Sequence, residues 1–97
     1  MSHSGRFTKR LAGKLDYIFD WTYWLEAGET IASYVLTVET GITKVSDALV
    51  DSNRQVVVWL SGGTLGERYT IDCVITTQGG SGVRIDPRRM EIEIGPF

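Results

Sequence analysis

Cysteine and histidine are nearly absent: Cys73 and His3 stand alone in 97 residues. A single cysteine excludes an intramolecular disulfide. One residue of each kind also excludes the Cys/His zinc sites, which need four such ligands or three with a carboxylate. No metal and no cofactor is therefore expected. A base for nucleophilic catalysis is missing too. Ser61 and Cys73 would have to share His3, near the N-terminus, and Cys73 alternates with Tyr69, Ile71 and Ile75 as a core residue does. A hydrolase is not expected. Long apolar runs are likewise absent. The longest, Val56–Leu60, is far short of the roughly 20 residues of a membrane-spanning helix, so no membrane partner is expected. Arg6, Lys9, Arg10 and Lys14 are not followed by the roughly 7–15 apolar residues of a signal peptide, which points to synthesis in a reducing cytoplasm rather than export. There are no Pro/Ser tracts or like-charge blocks to specify disorder.

What is present divides unevenly along the chain. Residues 1–14 hold four Lys/Arg and no acid, whereas residues 15–97 hold all twelve acids against six Lys/Arg, a net charge of −6. The chain reads as a flexible basic arm, 1–14, ahead of an acidic body, 15–97. Phe7 and Leu11, four apart, are the arm's apolar anchors and allow one helical turn on contact with a partner. An acidic body argues against nucleic acid as the main partner.

From Leu15 the pattern is β. Leu15, Tyr17, Phe19 and Trp21 alternate with Asp16, Ile18 and Asp20. A short helix over 22–27, capped by Asp20, competes with a turn there. Strands are expected over 30–39, 42–45 and 54–60, with a turn and a short edge strand within 46–53. The run Val56–Leu60 implies burial on both faces. Residues 68–77 alternate cleanly, and 83–94 form the last strand, with Asp86-Pro87 suited to a kinked edge. About seven short strands joined by Gly-rich turns make an all-β, Ig-like β-sandwich the expected fold. No helix longer than two turns finds support.

Three features bear on chemistry. Gly66 followed by Tyr69, at the start of an alternating strand, has the pattern of a tyrosine corner, in which the phenol bonds back to the upstream connection between sheets. The same loop, Gly62-Gly63-x-x-Gly66, lacks the Lys-Ser/Thr ending and the helix of a phosphate loop. The pairs Asp16/Asp20 and Glu26/Glu29 invite comparison with glycosidases. Asp16 and Asp20, however, are about 13 Å apart along a strand, and both pairs read as solvated outer-face residues. Trp21, Tyr23 and Trp24, three aromatics within four positions, cannot all face one core. At least one is expected at the surface, as an interface anchor or a sugar-stacking platform.

The segment Leu15-Asp16-Tyr17-Ile18-Phe19-Asp20-Trp21-Thr22-Tyr23-Trp24-Leu25, followed by Gly28-Glu29-Thr30-Ile31-Ala32-Ser33, resembles the opening of small tailed-phage virion proteins, the fibre–tail adaptor family. Val58-Trp59-Leu60-Ser61-Gly62-Gly63-Thr64, Gly66, Tyr69 and Thr76-Thr77 with Gly79 or Gly80 follow the same family's course, so the likeness spans about residues 15–94. The arm lies outside the pattern, and the family's arginine-rich hairpin is represented by Arg84, Arg88 and Arg89. The resemblance implies a non-enzymatic virion protein, made in the host cytoplasm, that joins fibres to the tail or portal in a symmetric, multi-copy assembly. The candidate contacts for such an assembly, chosen as arm anchors, crowded aromatics and last-strand arginines, are Phe7, Arg10 and Leu11, Trp21, Tyr23 and Trp24, and Arg88 and Arg89. A capsid decoration (cement) protein bound to the capsid protein is the alternative, and a carbohydrate-binding module a more distant one.

Overall fold

A computed structural model describes residues 4–10 and 14–95, with side chains from residue 15 onward. The strands are β1 (Ser4–Arg10), β2 (Lys14–Asp20), β3 (Thr30–Val38), β4 (Ile42–Val50), β5 (Gln55–Gly62), β6 (Arg68–Gln78) and β7 (Ile85–Gly95). They form a four-stranded sheet, β1-β7-β6-β3, and a three-stranded sheet, β2-β5-β4. All pairings are antiparallel except β1 with β7, which is parallel. No helix forms among the described residues.

The core lies between the sheets and follows from the period-2 pattern. Tyr17 and Phe19 of β2, Val56, Val58 and Leu60 of β5, Tyr69, Ile71, Cys73 and Ile75 of β6, and Met90, Ile92 and Ile94 of β7 are buried together. The central strand β5 is buried on its outward side as well at Val57, as its unbroken apolar run requires. Burial pushes the Cys73 thiol up to about 12, with the Asp47 charge adding to the effect, so it is an inert core residue.

Two edge strands break the alternation. In β3 the register slips at Ala32, between Ile31 opposite Thr77 and Ser33 opposite Thr76; the inward phase moves from Ile31 to Tyr34, Leu36 and Val38. In β4 it slips at Val45. Each slip is a β-bulge, one extra residue that bends the strand and resets its faces. The slip at Val45 corrects the expectation of a short strand 42–45 followed by a turn: 42–50 is one strand, and the turn comes at Asp51, Ser52 and Asn53, all with positive φ. Across the open side between the two sheets, the Tyr34 hydroxyl donates to the Asp47 carboxylate, which also takes Lys44 at 2.5 Å.

One further expectation is corrected. The last strand is not an edge, because β7 lies between β1 and β6. Pro87 lies opposite Val74 of β6, and among the described residues the register of β1 with β7 runs from Arg89 onward. The backbone of Ser4–Arg10, read from sequence as part of an arm, runs as a strand in register with Arg89–Gly95. That strand has no alternating apolar pattern of its own, and it rests on the ready-made ladder of β7.

Candidate functional site

At one end of the sandwich the loop 21–29, the β4–β5 turn and the β6–β7 hairpin come together, and each is tied to its neighbour. The Trp21 N–H donates to Arg54 O at 3.1 Å and the Ile31 N–H to Asn53 O at 2.8 Å. Asp20 starts the loop by accepting the Thr22 N–H at 2.8 Å. A single turn follows, with Trp24 and Leu25 N–H groups both donating to Trp21 O; the alternative of a helix over 22–27 does not form. Gly79 lets the hairpin touch the loop, since a Cβ there would stand 2.4 Å from Gly28 O.

Two buried carboxylates lock this end. Glu29, read from sequence as solvated, is 2% exposed, because the loop folds it under Arg84. Arg84 donates from both sides of its fork to Glu29 (Nε to Oε2 at 2.9 Å) and to Trp24 O at 3.2 Å, with its guanidinium 3.8 Å from the centre of the Trp24 ring. The Arg84 hydrogen bond holds the Glu29 carboxyl down to about 2 against the upward pull of burial, aided by the Glu26 N–H and by Thr77. Glu26, by contrast, is exposed, and its Oε1 accepts the Ser81 N–H at 3.1 Å. The second carboxylate, Asp86, has no exposed surface and accepts the indole N–H of Trp21 at 2.8 Å. Arg88 reaches Asp86 at 3.3 Å and Asp20 O, lying 4.6 Å from the centre of the Trp21 ring. Each arginine thus joins a buried acid to the face of a tryptophan, a pairing that satisfies the charge and suits the ring quadrupole.

On this frame Tyr23 is 99% exposed. With Asp20, Trp24 and Arg88 it lines a shallow depression of about 370 Å³. A second depression, about 410 Å³, lies between Thr22, Glu26, Gly28, Ser52 and Arg54. The Glu29–Arg84 and Asp86–Arg88 pairs tie down the backbone of the loop that carries this exposed aromatic.

Of the residues singled out from sequence, Trp21, Tyr23, Trp24 and Arg88 gather here, Trp21 as a buried support. Arg89 does not: it lies on the outer face of the four-stranded sheet, paired with Asp72 at 2.7 Å. Phe7 and Arg10 are on β1, and Arg10 is level with Gly95 at the other end. Their side chains, and all of Leu11, lie outside the described residues. Tyr69 is also at that other end, where its hydroxyl accepts the Thr64 N–H at 2.9 Å. Its ring lies between Gly41 and Gly63: a Cβ on Gly41 would stand 2.7 Å from Cε1, and one on Gly63 would be 3.4 Å from Cε2 and 2.8 Å from Ile94. Gly66, with φ +85°, donates to Ile94 O at 2.9 Å. Arg84, Glu29 and Asp86 were missed as a set, because the partners that bring them together are 55 to 65 residues apart in the chain.

The family model described as "Podophage GP4 fiber-tail adaptor protein gp77" matches residues 9–93. No curated protein matches the chain. The chain belongs to this fiber-tail adaptor family.

Proposed function

We propose that this member of the podophage fiber-tail adaptor family is a static, non-enzymatic virion component that joins fibre to tail or portal through the loop 21–29. The observation that carries the proposal is the exposed Tyr23 beside Trp24 and Arg88, held rigid by the Glu29–Arg84 and Asp86–Arg88 pairs. Aromatic and arginine side chains on a fixed loop are the usual anchors of protein interfaces. The mode of action is burial of surface against neighbouring virion proteins in a symmetric, multi-copy assembly, with no bond made or broken.

An Ig-like reading of residues 15–97 is supported by the strand order, β3-β6-β7 facing β2-β5-β4, and by the phenol of Tyr69 reaching back to Thr64. On that reading 1–14 is a basic arm whose segment 4–10 extends the four-stranded sheet, and the loop 21–29 shares one end with the β6–β7 hairpin. Phe7, Arg10, Leu11 and Arg89 are secondary contacts in this proposal.

Assembly of phage carrying Tyr23→Ala tests the proposal. Fibreless or adaptor-free particles, with the isolated variant melting as the parent does, are the expected result. Normal fibre attachment would refute the role of the loop. An even distribution of the protein over the capsid would assign it to decoration instead.

A further inference from the structure

The sandwich has two sides on which sheet edges meet solvent, and they are built differently. On one side lie β3 and β4, each broken by a bulge and tied to each other through Tyr34 and Asp47. Bulges are a common device for blunting an edge against strand addition. On the other side lie β1 and β2, whose ladders run without a register shift from Ser4 to Arg10 and from Lys14 to Asp20.

The two regular edges carry opposite charge. β1 holds Arg6, Lys9 and Arg10 and no acid, whereas β2 holds Asp16 and Asp20, both exposed, against Lys14 at its first position, a net of −1. Asp16, Ile18 and Asp20 alternate with buried Tyr17 and Phe19, so they belong to the outer face of their sheet. Arg6, Thr8 and Arg10 stand in register with Glu91, Glu93 and Gly95 of β7, where Glu91 and Glu93 alternate with buried Ile92 and Ile94 on the outer face of the other sheet. The strands also run in opposite directions. β1 ends level with Gly95 and β2 starts level with Ser61, both at the end where Gly66 bonds to Ile94.

We propose that this side is a self-pairing edge, on which β1 of one copy adds antiparallel to β2 of a second copy about a two-fold axis parallel to the strands. That operation brings the outer face of the four-stranded sheet level with the outer face of the second copy's three-stranded sheet, and it does so at two junctions. Each composite sheet then reads β3-β6-β7-β1 followed by β2-β5-β4 of the other copy. One register, with Thr8 opposite Ile18, sets Arg6 opposite Asp20 and Arg10 opposite Asp16 together. Main-chain hydrogen bonds provide the affinity of such strand addition, and the charge pairs select its register and suppress others. The pairing does not depend on which virion proteins meet the loop 21–29; it shares only Asp20 with the depression beside Tyr23, and Tyr23 itself stays open in both copies.

Sedimentation equilibrium of the full chain tests it. The parent is expected to form a concentration-dependent dimer. Arg10→Glu and Asp16→Arg, each alone, set like charges opposite each other at both junctions and should weaken the dimer roughly tenfold or more. An equimolar mixture of the two variants restores opposite charges at both junctions and should recover the dimer. A parent that stays monomeric, or a dimer indifferent to both variants, would overturn the proposal. Amide exchange of the parent covers the case in which a variant fails to fold. Protection of the β2 amides at Tyr17–Phe19 should rise with protein concentration, and exchange that is independent of concentration would also overturn it.

Discussion

Two carboxylates, Glu29 and Asp86, sit where water does not reach, and each is held by an arginine lying over a tryptophan. For Glu29 the consequence is a dependence on pH. Its folded-state pKa, about 2, is below the ordinary carboxylate value of 4.5. The pair therefore contributes fully above about pH 5, and its contribution is lost as pH falls through 4.5 toward 2, because the unfolded chain takes up the proton first. Thermal melts across that window should show a fall in stability that Glu29→Gln reduces, the remainder coming from Asp20 and Asp47, whose carboxyls are also held low by their hydrogen bonds. The same substitution should lower stability at pH 7 by about 2 kcal/mol, since Arg84 keeps its charge and loses a charge-assisted bond. At the other end of the sandwich the glycines decide. Gly63→Ala sets a Cβ against Ile94 at a φ of +98°, so a loss of about 2 kcal/mol or more is expected in denaturant melts. Tyr69→Phe removes only the acceptor of the Thr64 N–H, and about 1 kcal/mol is expected.

At the scale of elements, the strands that could be read from sequence are those whose faces differ throughout. β2 alternates acids with aromatics, β6 alternates Tyr69, Ile71, Cys73 and Ile75 with polar residues and Val74, and β7 alternates Met90, Ile92 and Ile94 with glutamates. β5 was legible as a doubly buried strand because it has no polar face to lose. The misread elements have physical causes. The bulge at Val45 puts Ile42 and Leu49 out of phase, so one strand looked like two. β1 has no period because its backbone is held by β7, a tertiary effect that local pattern does not contain. The loop 21–29 was half legible. Three crowded aromatics announced that one must be exposed, but nothing local said that Glu29 would be buried, since its partner Arg84 is 55 residues away. Arg84→Ala should therefore unlock the loop and raise the protease sensitivity of residues 22–28, whereas Tyr23→Ala, at a 99% exposed site, should leave both sensitivity and melting temperature unchanged.

For the whole molecule, the parts divide by task. One end of the sandwich is closed by glycines packed on Tyr69, and the other presents a rigid loop with an aromatic at its tip. The bulged side discourages strand addition, and the regular side carries complementary charge. Membership of the fiber-tail adaptor family, over residues 9–93, gives such a body its setting, a joint between virion proteins. High-resolution imaging of intact particles of the phage that encodes the chain tests this most directly. The account predicts the sandwich at the junction of tail and fibres, with Tyr23 and Trp24 buried against a neighbouring virion protein. Finding the protein spread over the capsid shell, or at the tail with Tyr23 still facing solvent, would contradict it.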